Sequence, residues 1–286
     1  MKQLLILSGK GGTGKTTIAS AFIKLSSAKA YADVDVDAPN LHLIMTQEGI
    51  EPEVNDFYGM EKAYIDMDEC ILCGLCEEHC RFNAIRFADD KYFVDYYACE
   101  GCGVCATICA VDAAIMQPDI AGQLTLYAND KVFSTAQLKM GNGNSGKLVT
   151  EVKKNLQLAA IKAELAIIDG SPGIGCPVIA SLSGVDLVLI VAEPSLSGLS
   201  DMKRIIATAQ NFQVVTVVCV NKYDTNLDKT KEIVDFCEKN DIPFIGMVPY
   251  DVAAIKAINN GQSIVDIDCP AGEATKDIYN NILNFI

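Results

Sequence analysis

Eight of the twelve cysteines in this 286-residue chain fall into two runs that share one spacing. In each run, three cysteines are separated from one another by two residues, and a fourth follows after three more. Three closely spaced thiolates with a trailing fourth are the ligand pattern of [4Fe–4S] clusters, so the doubled run predicts two of them. The runs are Cys70, Cys73, Cys76 and Cys80, and Cys99, Cys102, Cys105 and Cys109.

The doubled run resembles the bacterial two-cluster ferredoxins, in which the fourth cysteine reaches across to the other cluster. That resemblance implies crossed ligand sets. Arg81 and Ala110 stand where the pattern usually has proline, so packing beside each cluster is expected to differ from ordinary ferredoxins. The implied sets are Cys70, Cys73, Cys76 and Cys109 for cluster 1, and Cys80, Cys99, Cys102 and Cys105 for cluster 2.

Zinc and disulfides are the alternative uses of these cysteines. Zinc takes four thiolates per ion, usually as two separated pairs rather than a run of three with a trailing fourth. Disulfide frameworks belong to small secreted chains, and the apolar start Met1–Ser8 is too short for a signal peptide. The spacing therefore favours iron–sulfur clusters.

A glycine-rich loop near the start of the chain has the pattern of a phosphate-binding loop. In such loops the glycines let backbone N–H groups converge on phosphate oxygens, the lysine meets the β- and γ-phosphate charge, and the next hydroxyl binds magnesium. Here these roles fall to Lys15 and Thr16. The loop follows a predicted strand and opens a predicted helix, as this motif requires. Its phosphate-binding residues are Gly11, Gly12, Thr13, Gly14, Lys15, Thr16 and Thr17.

With the additional Lys10, this loop resembles the deviant Walker A motif of the MinD/Mrp family of ATPases, which belongs to the SIMIBI class and includes the nitrogenase iron protein. The resemblance covers most of the chain outside the cysteine segment and implies ATP hydrolysis with Mg²⁺. In that family the early lysine reaches across a dimer to the partner's nucleotide. The resemblance therefore implies this role for Lys10, in a homodimer or in a heterodimer with a related ATPase.

Two aspartate-containing segments resemble the switch regions of the same family. By this resemblance, Asp35 positions the attacking water and Asp33 supports magnesium. Asp169 is implied to hold the magnesium shell through water, and Gly173 to let the second switch sense the γ-phosphate. A narrower resemblance, which includes Gly175–Ser181, is to MinD-like ATPases that carry an inserted two-cluster ferredoxin.

The residues predicted to contact the base are compatible with either ATP or GTP. Asn-Lys-x-Asp after a buried strand is also the guanine-reading motif of GTPases, in which the aspartate accepts hydrogen bonds from the base. In MinD-like ATPases the asparagine, here Asn221, reads adenine, and the backbone near Pro249 closes the pocket. The whole-chain resemblance favours ATP, and Asp224 keeps GTP as the alternative.

Short, continuous apolar runs predict strands of a parallel sheet covered on both faces, and helical patterns alternate with most of them. The alternation predicts a doubly wound α/β domain formed by 1–62 and 118–286, with an inserted small α+β ferredoxin-like domain at 63–117. Further β structure is expected at Gln123–Gln137 and a flexible loop at Met140–Lys147. The strands are expected at Leu4–Leu7, Leu165–Ile168, Leu187–Ala192, Val214–Val220 and Phe244–Val248, and the helices at Lys15–Leu25, Leu148–Ile161, Leu199–Asn211, Lys229–Asn240 and Ala253–Asn260.

The net charge of −14 repels phosphate backbones and anionic lipid headgroups, which argues against nucleic acid and membranes as partners. No apolar run reaches the length of a membrane span, so a cytoplasmic protein is expected. Ala274–Ile286 has helical spacing, but its one basic residue, Lys276, does not suit an amphipathic membrane anchor. We expect this helix to pack on the core.

Three functions are compatible with these motifs. The first is a redox-linked ATPase, in which dimer closure gates electron delivery through the clusters to a redox or metalloprotein partner. The second is an ATP-dependent carrier of iron–sulfur clusters or another metal centre, for which Cys176 is a possible ligand; as a single cysteine before Pro177, it equally fits a packing role. The third, spatial organisation as in MinD, is the weakest, because no membrane anchor is evident.

Overall fold

The computed structural model describes residues 1–47 and 49–286. The described residues form thirteen strands, whose bounds follow in chain order. They are β1 (Lys2–Ser8), β2 (Ala30–Asp33), β3 (Glu53–Tyr58), β4 (Lys62–Ile65), β5 (Ile85–Ala88), β6 (Lys91–Val94), β7 (Ala114–Gln117), β8 (Ile120–Ala128), β9 (Val132–Leu138), β10 (Leu165–Pro172), β11 (Leu187–Ala192), β12 (Val215–Asn221) and β13 (Phe244–Val248).

Nine α-helices are present in the same described residues, together with short 3₁₀ turns at Leu41–Leu43, Tyr223–Thr225, Ile264–Asp266 and Leu283–Phe285. The helices are α1 (Lys15–Leu25), α2 (Leu75–Glu78), α3 (Val104–Ile108), α4 (Ser145–Ala159), α5 (Cys176–Leu182), α6 (Leu196–Asn211), α7 (Leu227–Lys239), α8 (Val252–Asn259) and α9 (Pro270–Ile282).

Nine of the strands form one large sheet in the order β13-β12-β11-β1-β10-β2-β9-β8-β3. Each pairing from β13 across to β9 is parallel. Strands β1, β10 and β11 are buried along nearly their whole length, which is why they read as continuous apolar runs in the sequence. The predicted α/β class with a large, mostly parallel sheet is confirmed.

The chain divides into two compact units, and each has its own core. The first unit contains residues 1–54, 124–137 and 145–286, and the second contains 55–123 and 138–144. In the first unit, Phe22 of α1 packs edge-on against Tyr279 of α9, and Tyr31 of β2 stacks on Phe133 of β9. These aromatic contacts hold α1 to α9 and β2 to β9.

The second unit contains the predicted segment 63–117 and two small antiparallel sheets, β4 with β7 and β5 with β6. Its two cysteine runs share part of their backbone conformation. At three equal offsets from the first cysteine of each run, the chain adopts the left-handed conformation. The paired positions are Leu72 and Gly101, Gly74 and Gly103, and Asn83 and Asp112.

Several element boundaries differ from the sequence prediction, and capping explains two of them. Helix α6 begins three residues before the predicted start because Ser195 accepts the N–H of Gly198. Helix α7 likewise begins at Leu227 because Asn226 accepts the N–H of Lys229. Strand β2 has the sequence Ala-Tyr-Ala-Asp, and its two alanines and terminal aspartate do not form a run of large apolar residues.

The C-terminal helix also begins earlier than predicted. Pro270 occupies the first helical position, where its missing N–H is tolerated, and Cys269 caps the helix. Ile278 and Ile282 of α9 are buried in the core of the first unit, as expected for a packing helix. Across residues 1–47 and 49–286, each helix falls short of the length and apolar composition that spanning a bilayer requires.

Candidate functional site

The phosphate loop connects β1 to α1 at the carboxyl edge of the parallel sheet. Gly14 stands at the start of α1 with φ +93°, and a Cβ there would lie 2.2 Å from the amide nitrogen of Asn221. That amide donates to the Thr13 carbonyl at 2.7 Å. Only glycine fits this position, and the Asn221 side chain holds the loop to β12 through its hydrogen bond to the Thr13 carbonyl.

The loop lines a cavity of about 880 Å³, large enough for a nucleotide's phosphates and ribose. Asp35, Asp37 and Asn40 enter the cavity wall from the segment after β2, and Ser171 and Pro172 enter it from the end of β10. All the predicted phosphate-loop residues are among its lining. Asp33, Asp169 and Gly173 lie outside the wall.

Lys15 is almost completely buried and is surrounded by three carboxylates. Its Nζ donates to Asp169 Oδ1 at 2.7 Å and lies 4.0 Å from Asp35 Oδ2. Burial opposes the lysine charge, but Asp169, Asp33 and Asp35 outweigh it and raise the pKa of Lys15. Three acids against one ammonium leave negative charge that a divalent cation can compensate.

Asp33 shapes the segment that the sequence assigns to the first switch. Its Oδ1 accepts the N–H of Asp35, and its Oδ2 accepts the N–H groups of Asn40 and Leu41 at 2.8 and 2.9 Å. Burial, with the nearby Asp169 carboxylate, raises the pKa of Asp33 to about 7. Burial likewise raises the pKa of Asp35 to about 6. Asp33 therefore positions Asp35 and Asn40 at the cavity.

The residues present fit a magnesium ion with its water shell. Asp169 is fully buried, yet its Oδ2 has no hydrogen-bond partner among the described residues. An unpartnered buried carboxylate oxygen is an acceptor for a metal-bound water. Thr16, which carries a hydroxyl group, lies in the wall of the cavity of about 880 Å³. Hard oxygen ligands of this kind are those that Mg²⁺ prefers.

Lys10 contacts an acidic residue that the sequence motifs did not indicate. Its Nζ lies 2.6 Å from Glu193 Oε2 and 3.5 Å from the Ser195 hydroxyl. Lys222 approaches the same Glu193 at 3.8 Å and donates to the Gly12 carbonyl. Glu193 follows β11, about 180 residues after Lys10 in the chain, so no local spacing could have predicted this contact.

A second cavity of about 230 Å³ adjoins the phosphate loop and has the composition of a base pocket. Gly12, Asn221, Pro249 and Ile255 are among its lining residues. Asp224 is outside this lining; its Oδ1 accepts the N–H of Tyr250 at 2.7 Å. The carboxylate that would read guanine is thus bonded to the chain segment that closes the pocket.

The cysteines of the second unit separate into two groups around two small cavities. The cavity walls also include apolar side chains such as Ile65 and Ile85. One cavity is lined by Cys70, Cys73, Cys76 and Cys109, and the other by Cys80, Cys99, Cys102 and Cys105. These are the two crossed sets implied by the ferredoxin resemblance.

Backbone N–H groups point at several of these sulfurs. Ala84 donates to Cys80 Sγ at 3.4 Å, and Ala63 donates to Cys99 Sγ at 3.5 Å. N–H groups of Ala114 and Val111 lower the pKa of Cys109. Donors to sulfur stabilise the thiolate and tune the potential of a bound cluster. Four thiols around an apolar cavity, with N–H donors behind them, fit a [4Fe–4S] cluster.

Within residues 1–47 and 49–286, no group of three or more His, Cys, Asp or Glu side chains has the arrangement needed to hold a single metal ion. The other cysteines occupy different environments. Cys219, Cys237 and Cys269 are buried, as expected for packing residues, whereas Cys176 is exposed at the first residue of α5.

Comparison with known proteins identifies relatives along the whole chain. The family model CbiA, described as the CobQ/CobB/MinD/ParA nucleotide binding domain, matches residues 4–264. An uncharacterized protein of Methanocaldococcus jannaschii, MJ0578, is 32% identical over 293 residues, covering 99% of this chain and 97% of that protein. The iron-sulfur cluster carrier protein of Pyrococcus abyssi is 24% identical, covering 99% of this chain and 85% of the carrier.

The solved structure of the septum site-determining protein MinD from Pyrococcus horikoshii, complexed with Mg-ADP, superimposes with a TM-score of 0.58. It is 16% identical and covers 98% of this chain and 95% of its own. At this identity the likeness concerns the fold alone, and it agrees with the mostly parallel sheet described above.

Proposed function

Because the chain belongs to the CobQ/CobB/MinD/ParA nucleotide-binding family, we propose that it is a magnesium-dependent ATPase whose nucleotide cycle controls electron exchange between two [4Fe–4S] clusters and a partner protein. The P-loop ATPase part follows from the family and from the geometry around Lys15. The link to redox chemistry rests on one observation: eight cysteines separate into two groups of four around two cavities.

The nucleotide cycle is assigned to residues of the first unit. The phosphate-loop backbone and Lys15 bind the phosphates, while Thr16 and Asp169 hold the Mg²⁺ shell, Asp169 through water. Asp35 lies in the cavity wall, where it can orient a water toward the γ-phosphate. Asn221 faces the base and Pro249 closes the pocket around it. Gly173, with its left-handed backbone, lets the chain after β10 respond to the γ-phosphate.

Lys10 provides the proposed connection to dimer formation. In the closed dimer it reaches the partner's phosphates, so it must leave Glu193 of its own chain. ATP can shift this equilibrium only by binding the closed state more tightly than the open one. The clusters, when bound, store and release single electrons.

The test measures oxidation of the reduced protein by a small oxidant, with and without ATP and Mg²⁺. Asp35→Ala is used so that the closed state persists, and Lys10→Ala in the same background serves as the matched control. We expect ATP to change the oxidation rate at least several-fold in the first variant and to have no effect in the second. Oxidation rates, dimer fraction and cluster potentials that are all indifferent to ATP would overturn the coupling.

A carrier of iron–sulfur clusters is the second candidate. It is favoured by the similarity to the Pyrococcus abyssi carrier protein and by the exposed thiol of Cys176 at the start of α5. The two candidate functions differ in whether iron leaves the protein during ATP hydrolysis. A carrier transfers iron and sulfide to an apo-acceptor during hydrolysis and loses this transfer in Cys176→Ser, whereas an electron-transfer protein retains its iron through many turnovers.

A further inference from the structure

Leu72 adopts a backbone conformation that its side chain disfavours. Its φ is +58°, in the left-handed region where the Cβ of an L-residue crowds the following carbonyl. Ten described non-glycine residues have a positive φ, and Leu72 is the one apolar residue among these ten; the others are polar or charged. An apolar residue in this conformation signals a requirement beyond local folding.

The second cysteine run shows that leucine is not needed at this position. Gly101 stands two residues after Cys99, as Leu72 stands two after Cys70, and its φ is +68°. A Cβ on Gly101 would lie 2.3 Å from the Glu61 carbonyl oxygen, so this copy is packed against the chain. Leu72 is instead 45% exposed, which means that the same backbone turn presents a leucine to the solvent.

Leu72 belongs to a group of exposed apolar side chains, which we call the cluster 1 patch: Ile71, Leu72, Leu75 and Val111. Ile71 is 62% exposed, and Leu75 and Val111 are 39% and 37% exposed. Ile71, Leu75 and Val111 also line the cavity of Cys70, Cys73, Cys76 and Cys109. Grouped apolar exposure beside a prospective redox site marks an interaction surface rather than scattered surface residues.

The surroundings of the cluster 1 patch are acidic. From Asp68 to Cys80 the chain contains no lysine or arginine. Exposed acids flank the patch on both sides in sequence, and Asp112 follows Val111. The acids of the first run are Asp68, Glu69, Glu77 and Glu78. An apolar centre with an acidic rim complements a partner whose apolar surface is rimmed by lysine and arginine.

The two cavities also differ in depth. Cys99 and Cys105 of the second set are buried, whereas each cysteine of the first set is half-buried or exposed. The first set is therefore the one nearer the protein surface, and electron transfer to a partner is faster over a shorter distance.

We propose that the cluster 1 patch is the docking surface for a redox protein with a lysine- and arginine-rimmed apolar face. The proposal rests on the proposed function, because it requires a cluster on Cys70, Cys73, Cys76 and Cys109. At this surface one electron passes between that cluster and the partner's one-electron centre. One centre is oxidised by one electron, the other is reduced by one, and no covalent bond breaks.

The experiment uses the reduced holoprotein and measures its reduction of cytochrome c, a basic haem protein, by stopped flow. Hexaammineruthenium(III), a small cation, is the parallel acceptor that needs no docking surface. The test variant combines Ile71→Ser with Leu72→Gly. Phe93→Ser is the matched control, because Phe93 is 50% exposed and lines neither cysteine cavity. Glu69→Gln with Glu78→Gln tests the acidic rim.

We expect the rate toward cytochrome c, divided by the rate toward hexaammineruthenium in the same variant, to fall about tenfold in the double patch variant. The rim variant should lose rate at low salt only. Phe93→Ser should match the wild type. Leu72→Gly alone should raise the midpoint of thermal unfolding, because glycine accepts the left-handed backbone. A purely structural role for Leu72 predicts a lower midpoint instead.

The iron content of the purified protein distinguishes failure of the docking surface from failure of the proposed function. The docking surface is overturned if the patch variant reduces cytochrome c at the wild-type rate, or if Phe93→Ser loses as much rate as the patch variant. If the iron content is intact in that case, the proposed function still stands. Protein purified anaerobically without iron overturns the proposed function and the docking surface together.

Discussion

Lys10 forms an ion pair with Glu193 of its own chain, with 2.6 Å between Nζ and Oε2. The same lysine is the residue that the MinD/Mrp resemblance assigns to the nucleotide of a partner subunit. Under the proposed function, Lys10 leaves Glu193 when it reaches the partner's phosphates, so breaking this ion pair would be part of closure.

Removing the charge of Glu193 should favour the dimer. In the Asp35→Ala background, Glu193→Gln releases Lys10, so half-maximal dimer formation should need about three- to tenfold less ATP. Sedimentation velocity across an ATP titration measures this. Glu232→Gln, which removes the exposed pair with Lys229, is the control and should have no effect. A Glu193→Gln protein that needs more ATP would show that the ion pair supports closure instead.

Lys15 and Asp35 should affect hydrolysis for different reasons. Lys15→Ala should weaken ATP binding on the order of 100-fold, because the phosphates lose their buried cation. Asp35→Ala should bind ATP nearly as well but turn over on the order of 100-fold more slowly, since the water is no longer oriented. Equilibrium binding and single-turnover hydrolysis distinguish the two variants. Wild-type turnover in Asp35→Ala removes that residue from the mechanism.

The nucleotide preference should be for ATP, and Asp224 should not decide it. Its carboxylate accepts the Tyr250 N–H, so Asp224→Ala should loosen the pocket wall and weaken ATP and GTP binding alike, by about threefold to tenfold. Competition binding with both nucleotides measures this. Asp228→Ala, an exposed change on α7, is the control. Tight GTP binding that vanishes in Asp224→Ala would establish the GTPase alternative.

Lys153 provides a prediction about pH. Its buried Nζ donates to the Ser181 and Ser183 carbonyls at the end of α5, and burial lowers the pKa of Lys153 to about 8. The unfolded chain, with a lysine pKa near 10.4, then binds more protons between pH 8 and 10, so this residue's contribution to stability rises with pH in that window.

Urea denaturation of wild type and Lys153→Met at pH 7 and pH 9.5 measures this contribution. The difference in unfolding free energy should shift in favour of the wild type by about 2 kcal/mol over that range. Lys154→Met, which alters an exposed neighbour, is the control. A difference that is constant with pH would mean that Lys153 stays fully charged in the folded protein.

The sequence predicts much of the fold because its signals are local. Strands β1, β10 and β11 are buried along nearly their whole length, so their apolar runs are visible without any tertiary information. The start of α4, in contrast, is not predicted by the local sequence. Glycine and asparagine at 141–146 predict a loop, but the helix begins at Ser145, and Gly146 packs so closely on α5 that a Cβ would lie 3.2 Å from the Cys176 carbonyl oxygen. Tertiary packing here overrides helix propensity.

In the candidate site, too, local motifs are predicted from the sequence and long-range contacts are not. The sequence predicts roles for Lys15 and the eight cysteines because their motifs are contiguous and each spacing has a chemical reason. The contact of Glu193 with Lys10 and the hydrogen bond of the Tyr250 N–H to Asp224 could not be predicted, because the partners are far apart in the chain. The family resemblance implies a magnesium role for Asp33. In the structure its oxygens accept three backbone N–H groups, a role that residue type and spacing do not reveal.

The most direct test of the account is the iron and acid-labile sulfide content of anaerobically purified protein, measured for the wild type, Cys73→Ser and Cys102→Ser. We predict about eight iron and eight sulfide per wild-type chain, and about half of each in either variant, because each cysteine lines a different cavity. Zinc in place of iron, or about four iron in the wild type, would contradict the assignment of two clusters to two crossed sets of cysteines.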